Sequence, residues 1–265
     1  MRPQTHLVLP DVHLPFQDKY MLRSWLEDVR TTRPSAIHIL GDLMDCYQGS
    51  GFDKNPSRKA TLQDELDQAR SLLEEIRGLA GNTCDIRYSE GNHEARLTKL
   101  LWRSRELAPL RNLTVPQLLK LDDLGITYYG PKSPYRLGGL TFLHGDVVTK
   151  SNWGVSPGGY AVTAILRAKH ESIVMGHTHK VGHVCSQPWQ GKLEGFECGC
   201  LCRFDLDYVV DVPPWQHGWA VIDFTRSGYY DVSFVRSCAK SPRSRRTLVF
   251  QGEELCTIPP AKVNR

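Results

Sequence analysis

Short apolar runs alternate with amphipathic segments along the first two thirds of the chain. Apolar runs predict buried strands over residues 7–9, 36–40, 84–88 and 172–175. Helical spacing of apolar residues predicts helices over 18–30, 61–80, 94–107 and 160–170, with Pro116 opening another short helix. Strands that alternate with helices in this way are typical of a layered α/β domain.

Strand patterns dominate the C-terminal third. A hairpin around two glycines is predicted over 135–143, and short strands follow over 181–186, 192–200, 218–224 and 229–235. This part of the chain predicts a second sheet. We expect one domain over 1–236 and a basic, irregular tail over 237–265. Segment 147–160 is predicted to be a loop, either a lid on the substrate side or a simple connection.

Composition narrows the class of protein without identifying it. The chain has 265 residues, of which 40% are hydrophobic and 23% charged, as in an ordinary globular protein. Its net charge of +4 permits a polyanionic partner without requiring one. No apolar stretch approaches the ~18 residues of a membrane span, and the N-terminus lacks a secretory core. We therefore expect a cytoplasmic protein with mostly reduced cysteines and no membrane partner. The sequence does not indicate an oligomeric state.

Polar residues capable of binding a metal follow five of the apolar runs. The segments at these run ends are Asp11-Val12-His13, Gly41-Asp42-Leu43-Met44-Asp45, Gly91-Asn92-His93-Glu94, His144-Gly145-Asp146 and Gly176-His177-Thr178-His179. In open α/β sheets, ligands bind beyond the carboxyl ends of the strands, so the five segments are expected to converge on one crevice.

The residue types and spacings at these run ends favour a metal centre. Residues two apart in an extended segment face the same side, which would direct Asp11 with His13, and His177 with His179, toward one site. Asp42 and Asp45 would be neighbours if the chain turned helical there. Each pair alone could simply be hydrogen-bonded. Imidazole with carboxylate or amide oxygen, and no thiolate, fits Zn, Fe, Mn, Co or Ni.

The ordered set Asp-x-His, Gly-Asp-x-x-Asp, Gly-Asn-His-Glu, a single His and Gly-His-x-His resembles the calcineurin-like metallophosphoesterase superfamily, in particular its bacterial and bacteriophage-type members. The resemblance implies an α/β fold, a two-sheet β-sandwich flanked by helices, with two divalent metal ions. It implies that the first ion is bound by Asp11, His13, Asp42 and His179. The second would be bound by Asp42, Asn92, His144 and His177. His93 would lie beside the scissile phosphate, which Asp45 would orient and polarise.

The function implied is a dinuclear metal-dependent phosphoesterase that hydrolyses phosphate mono- or diesters with metal-activated water. A nuclease that processes DNA or RNA is the main alternative. A protein phosphatase is disfavoured, because the arginines that clamp phosphate in that branch are replaced by Cys46 and Glu90. A non-catalytic scaffold is disfavoured because every ligand position holds a competent residue.

Four features outside this pattern leave alternatives open. Arg96, three residues after His93, could bind substrate phosphate, or be solvated on a basic helix with Lys99, Arg103 and Arg105 that could also follow a nucleic-acid backbone. The Cys198-x-Cys200-x-Cys202 pattern favours core packing over a zinc site. His38 is expected to be structural. The basic tail could lie along the surface or contact nucleic acid.

Overall fold

The computed structural model describes residues 4–51, 53–147, 157–186, 191–206, 209, 213–239 and 244–262. The α-helices are α1 (Lys19–Thr32), α2 (Leu62–Ala80), α3 (Ala95–Trp102), α4 (Val115–Leu118) and α5 (Tyr160–Lys169). Short 3-10 turns cover Tyr47–Gly49, Arg111–Leu113 and Leu121–Leu124. The strands are β1 (Gln4–Leu9), β2 (Ala36–Ile39), β3 (Asp85–Ser89), β4 (Ile126–Tyr129), β5 (Tyr135–Leu137), β6 (Leu140–Leu143), β7 (Ser172–Met175), β8 (Val181–Ser186), β9 (Leu193–Cys198), β10 (Gly218–Phe224), β11 (Tyr230–Ala239), β12 (Arg246–Phe250) and β13 (Glu253–Ile258).

The strands form two mixed sheets. The larger sheet has the order β13-β12-β11-β10-β1-β2-β3-β4, and the smaller has the order β5-β6-β7-β9-β8. Strands β1 to β4 run parallel to one another, whereas β10 to β13 are antiparallel to their neighbours. In the smaller sheet β6, β7 and β9 are parallel. The predicted α/β class, a two-sheet sandwich flanked by helices, is confirmed.

Alternating side chains of β1 show how the layers are built. Leu7 and Leu9 pack with Trp25 of α1 in a core between the larger sheet and its helices, whereas Val8 points to the opposite face. There Val8 joins residues of both sheets, including Phe142 of β6. A third cluster packs α5 against the outer face of the smaller sheet. The order of layers is therefore helices, sheet, sheet, helix.

Local signals set the helix boundaries, with one correction. Thr61 and Asp64 form the predicted capping box at α2, and Asp18 caps α1 by accepting the Tyr20 and Met21 N–H groups. Helix α3 ends at Trp102, not at the predicted residue 107. Its last hydrogen bonds shorten to the i−3 type at Arg103 and Ser104, which closes the helix before residue 105.

The C-terminal part of the chain differs most from expectation. Strands β10 and β11 extend the larger sheet instead of building the second one, which consists of β5 to β9. The prediction of an irregular tail is wrong for residues 246–258, which form β12 and β13 at the edge of that sheet. Arg246, expected on the surface, is buried, because it forms an ion pair of 2.9 Å with Asp18 and contacts His217 at 2.8 Å. Strand β4 was also not predicted.

Two further expectations concern residues around the sandwich. Of the proposed lid segment 147–160, residues 148–156 lie outside the described residues, and α5 begins at Tyr160. Among the residues that the structure describes, none of the helices combines the length and apolar character needed to cross a membrane.

Candidate metal centre

The five polar segments meet at one edge of the sandwich. They follow the carboxyl ends of β1, β2 and β3 in the larger sheet and of β6 and β7 in the smaller sheet. Because these strands run parallel within each sheet, their ends lie side by side. All seven predicted ligand residues and His93, Asp45 and Arg96 are connected there by the contacts described below.

Asp42 lies at the centre of this edge. Its Oδ2 atom is 3.3 Å from His144 Nε2 and 3.6 Å from His13 Nε2. Two sets of ligand atoms, each within 4.8 Å of one another, include Asp42: one with Asp11 and His13, the other with His144 and His177. Asp42 is therefore common to two sets of possible metal ligands.

Around His144, acceptor atoms face one another. The Nδ1 atom lies 2.7 Å from the Leu40 carbonyl oxygen, so Nδ1 carries a proton and Nε2 is the atom that faces the site. This Nε2 atom lies 3.0 Å from Asn92 Oδ1 and 3.0 Å from His177 Nδ1. Together with the Asp42 carboxylate, these acceptors need a positive charge between them. A divalent cation with nitrogen and oxygen ligands fits this arrangement.

The second ligand set has the same character. His13 Nδ1 is 3.2 Å from Asp45 Oδ1, which leaves Nε2 to face His179 Nε2 at 3.1 Å. His179 Nε2 also lies 3.3 Å from Asp11 Oδ1. Asp11 is held in turn by the His177 N–H, which lies 2.9 Å from both carboxylate oxygens. The structure therefore directs His177 and His179 to different ligand sets, although only Thr178 separates them.

The backbone conformation at four site residues differs from the one that the sequence predicts. His13, Asp42, His177 and His179 have φ values of 52°, 49°, 68° and 57°. These are left-handed conformations that cost energy for residues other than glycine. The sequence analysis expects the Asp-x-His and His-x-His pairs to face the site by strand alternation, and this expectation is wrong because the backbone there is not extended. The chain also does not turn helical between Asp42 and Asp45.

Glycines allow the strand ends to approach closely. A Cβ atom at Gly41, whose φ is 91°, would lie 2.6 Å from the Gly91 nitrogen and 2.8 Å from His144 Nδ1. A Cβ atom at Gly91 would collide with Asp42 Oδ1. The Gly-Asp and Gly-Asn segments can therefore be in contact only because neither glycine has a side chain.

Charge around the centre is strongly coupled. Burial lowers the pKa of His144, but the adjacent Asp42 carboxylate outweighs it and raises the pKa to about 10. Burial and the proximity of His144 lower the pKa of His177 to about 3. Without a metal, a proton on His144 Nε2 would therefore occupy the place between His144, His177 and Asp42 in which a cation could bind, and metal binding would release that proton.

His93 lies beside Asp42 but is oriented by Asp45. Its backbone N–H donates to Asp42 Oδ1 at 2.9 Å, and its Nδ1 lies 2.9 Å from the Asp45 carbonyl oxygen and 3.1 Å from Asp45 Oδ1. Arg96 is partly buried, donates to the same Asp45 carbonyl at 2.8 Å and places Nη2 2.9 Å from His93 Nε2. Of the two hypotheses for Arg96, the structure therefore favours a position in the site over simple solvation.

Two residues in contact with the site had no role in the sequence prediction. Arg58 lies between the rings of Phe16 and Tyr47, at 4.1 Å and 3.6 Å, and its Nη1 is 3.5 Å from Asp45 Oδ2. It lies in a loop without periodicity, so no pattern could identify it. Glu94 accepts hydrogen bonds from the Asp42, Met44 and Gly91 N–H groups and the Tyr88 hydroxyl. Glu94 could have been identified from the sequence, because it is the last residue of the Gly-Asn-His-Glu segment.

The cysteine pattern and His38 are mainly structural. Cys198, Cys200 and Cys202 are fully buried, in keeping with core packing. Cys202 also touches the centre, since its sulfur lies 3.8 Å from His179 Nδ1. His38 is buried between β1 and β5, where it contacts His6 at 3.1 Å and the Tyr135 hydroxyl at 2.7 Å.

The Glu90 side of the centre opens into a cleft. The cleft encloses about 350 Å³, part of it continuous with solvent, and is bordered by His144, Glu90 and Lys132 among others. Glu90 contacts the Tyr128 hydroxyl, and burial raises the pKa of its carboxyl to about 7. Glu90 stands where the protein phosphatase branch has an arginine that binds phosphate. A carboxylate at this position cannot replace that arginine.

No family model matches the chain. The gene 54 protein of Mycobacterium phage L5 is 25% identical over 235 residues, an alignment that covers 82% of this chain and 87% of that protein. The gene 54 protein of Mycobacterium phage D29 is 24% identical over 239 residues, with the same coverage of 82% and 87%.

Among solved structures, Vps29 of Chaetomium thermophilum aligns with a TM-score of 0.51 at 11% identity, covering 97% of this chain and 98% of Vps29. At this identity the likeness concerns the fold. The same two sheets, flanking helices and strand-end segments are those implied by the sequence motifs. The chain therefore shares its fold with Vps29, and its five ordered segments resemble those of the calcineurin-like metallophosphoesterase superfamily.

Proposed function

We propose that this protein is a metal-dependent phosphoesterase with two divalent ions held on either side of Asp42. The supporting observation is the convergence of possible ligand atoms around Asp42 from five strand ends, with the Nδ1 proton of His144 directed away to the Leu40 carbonyl oxygen. Imidazole and carboxylate ligands suit Mn, Fe, Zn, Ni or Co. Two ions bound there would supply Lewis-acid activation of water and of the phosphoryl oxygens.

The ligand sets follow from the two groups around Asp42. Asp11, His13, Asp42 and His179 would hold one ion, and Asp42, Asn92, His144 and His177 would hold the other. Two of the imidazoles are fixed by second contacts, His144 by the Leu40 carbonyl and His13 by Asp45. Such contacts select the tautomer and direct the lone pair of Nε2 into the site.

In this proposal His93 donates a proton to the leaving alkoxide. Asp45 accepts from Nδ1, which leaves Nε2 as the atom that faces the substrate. Without substrate Nε2 accepts from Arg96 at 2.9 Å, so His93 must take up a proton at Nε2 before it can act as the acid. Burial alone would lower the pKa of His93, but the Asp42 and Asp45 carboxylates raise it above its usual value. A protonated Nε2 and Arg96 would both be donors, and a phosphate oxygen between them would accept from both.

Arg58 and Arg96 replace the arginines that a protein phosphatase would carry. Both guanidinium groups contact Asp45. Arg58 contacts its side-chain carboxylate, and Arg96 donates a hydrogen bond to its backbone carbonyl oxygen. They would neutralise charge on the phosphoryl group as it is transferred. Because their positions differ from the protein phosphatase pattern, a phosphate ester other than a phosphoprotein is the favoured substrate, and a nucleic-acid strand is the alternative.

The test compares hydrolysis of a p-nitrophenyl phosphate monoester, bis(p-nitrophenyl) phosphate and single-stranded DNA by protein loaded with Mn, Ni, Zn or Mg. We expect hydrolysis that is abolished by a chelator and restored by adding the metal back. Hydrolysis of the monoester alone would exclude the diester hypotheses, and turnover of the diester without DNA cleavage would exclude the nuclease. Protein that binds none of these metals, or hydrolyses esters equally well with chelator, would contradict the proposal.

A further inference from the structure

Four cationic side chains lie near one another on the side of His93 that Arg96 contacts. Lys54 and Arg58 lie in the loop before α2, and Arg96 and Arg103 lie in and just after α3. We call this set the basic wall. Arg96 lies 2.9 Å from His93, so the wall begins at the proposed proton donor and extends outward from it. Lys54 and Arg103 are exposed, whereas Arg58 and Arg96 are partly buried.

Direct contacts between the loop and α3 hold the wall together. A Cβ atom at Gly49 would lie 3.2 Å from Arg96, and one at Gly51 would lie 3.5 Å from Arg103 Nη2. Lys54 Nζ donates to the carbonyl oxygens of Tyr47 at 2.8 Å and Ser50 at 2.6 Å. Loop and helix therefore form one continuous surface.

The charge of the wall exceeds that of the carboxylate beside it. Asp45 contacts Arg58, and the same carboxylate already faces His13 and His93. Lys54 contacts neutral carbonyl oxygens, and its ammonium is 5.0 Å from the Tyr47 ring centre. Burial, with the neighbouring Arg96, Arg103 and Arg58, lowers the pKa of Lys54, as expected when cations repel one another at short range. Such a surface favours an anion.

We infer that the basic wall is a subsite for a second phosphate, carried by the leaving group of the substrate. This inference rests on the proposed phosphoesterase function, in which His93 faces the leaving oxygen. A group released at His93 passes next to Arg96 and then toward Lys54 and Arg103. The substrate class is a phosphodiester whose leaving alcohol bears a further phosphate, as in a nucleic-acid strand or a small polyphosphorylated molecule.

An exposed aromatic residue beside the wall distinguishes these two sources. Trp102, the residue before Arg103, is 71% exposed. Exposed aromatic rings next to cations are used by proteins that stack the bases of single-stranded nucleic acid. A strand would therefore gain affinity from Trp102, whereas a ligand without bases, such as inorganic triphosphate, would gain it from the cations alone.

Binding to the full-length, manganese-loaded protein tests the subsite. The probe is fluorescent phosphorothioate oligothymidylate, which resists hydrolysis, and its anisotropy is measured over a range of KCl concentrations. For the double variant Lys54→Gln, Arg103→Gln we expect about tenfold weaker binding and a salt dependence reduced by roughly 0.7 per cation removed. Trp102→Ala should weaken oligothymidylate binding but leave competition by inorganic triphosphate unchanged.

Arg226→Gln is the matched control. Arg226 is exposed in the turn after β10, and Phe224 pairs with Gln4 at the start of β1, opposite the end that carries the centre. This variant loses one cation, whereas the double variant loses two, and it should retain the wild-type affinity and salt dependence. The inferred subsite would be overturned if the double variant bound oligothymidylate as tightly as the wild type, or if Arg226→Gln lost as much affinity as the double variant.

A parallel measurement separates this inference from the proposed function. The double variant should lose more kcat/KM with oligothymidylate than with bis(p-nitrophenyl) phosphate, which has no second phosphate. Binding that depends on Lys54 and Arg103 in a protein unable to hydrolyse either ester would refute the phosphoesterase alone. Hydrolysis of both esters with equal losses in the double variant would refute the subsite alone.

Discussion

The candidate metal centre and the basic wall are adjacent but are built in different ways. The centre is carried by the ends of five strands from two sheets, and most of its side chains are buried. The wall is carried by an irregular loop and the face of an eight-residue helix, and its outer members are exposed. The centre is consequently fixed by the core of the sandwich, whereas the wall depends on contacts made by a few surface residues.

This difference separates chemistry from substrate choice. The ligand residues can be exchanged only together with the strand ends that hold them, and four of them need left-handed backbone conformations. The outer cations of the wall, Lys54 and Arg103, can be exchanged one at a time with little effect on the fold, because exposed charged side chains contribute little to stability. We therefore expect variants of the centre to abolish catalysis, and variants of these two outer cations to change only which esters are hydrolysed.

The largest effect is expected for Asp42→Asn, which removes the shared charge but keeps an oxygen that can accept the His93 N–H. Metal content should fall from about two ions per chain to one or none, and kcat should fall by at least about 10³-fold. Metal analysis of purified protein together with ester hydrolysis measures both. Asp223→Asn is the control, since Asp223 accepts from Thr5 at the opposite end of β1. Wild-type metal content in Asp42→Asn would refute the shared position.

The sequence was sufficient to locate the centre for a physical reason. Ligands must stand at the ends of buried strands, and both the apolar runs and the polar residues that follow them can be recognised locally. The convergence of Asp11, Asp42, Asn92, His144 and His177 follows from parallel strand order within each sheet together with the packing of the two sheets. That these residues meet was therefore predictable, although the backbone conformations at His13 and His177 were not, since left-handed residues other than glycine carry no sequence signal.

The wall and the C-terminal strands could not be predicted in the same way. Arg58 reaches Asp45 from a loop, by stacking between two rings that are distant from it in sequence. Arg246 was counted as a surface cation because its partner, Asp18, lies 228 positions earlier in the chain. Both cases depend on tertiary contacts, and charge patterning within a short window cannot distinguish a buried arginine from a solvated one.

The second prediction tests the role of His93, which lies between the centre and the wall. His93→Asn should retain the metal content of the wild type, because His93 is not among the proposed ligands. Its kcat should fall by about 10²–10⁴-fold for an ester with an alkyl leaving group, which needs a proton. The loss should be much smaller for p-nitrophenolate, a leaving group that is stable as an anion. Equal losses for both esters would exclude His93 as the proton donor.

The third prediction concerns Arg96 and Arg58, the members of the wall in contact with Asp45. Replacement of either by Gln should lower kcat/KM by about 10–100-fold, because each would lose a charged hydrogen bond to the phosphoryl group. Arg96→Lys should recover part of the loss, since a lysine keeps the charge but not the paired donors. Metal content should be unchanged in all three variants. A loss of metal would show that these arginines support the centre instead of the substrate.

The smallest effect concerns Glu65, a buried residue of α2 that lies beneath the junction of centre and wall. It accepts hydrogen bonds from the backbone N–H groups of Cys46 and Tyr47, and burial together with the Asp45 carboxylate raises its pKa from 4.5 to about 7. A raised pKa means that the folded chain binds this proton more tightly than the unfolded chain does. Stability should therefore decrease as pH rises from about 4.5 to 7 and remain lower above that range.

Glu65→Gln imitates the protonated side chain and should remove this loss. Measured by urea unfolding of chelator-treated protein, the variant and the wild type should be equally stable near pH 4.5, and the variant should be more stable by about 1–3 kcal/mol at pH 8. Glu74→Gln, on the exposed face of the same helix, is the control and should show no such pH dependence. Metal must be removed, because cations near Asp45 would favour the ionised form of Glu65 and reduce the difference. If added Mn eliminates the advantage of Glu65→Gln at pH 8, the charge of the centre extends beneath the wall, and the two regions are coupled through Asp45.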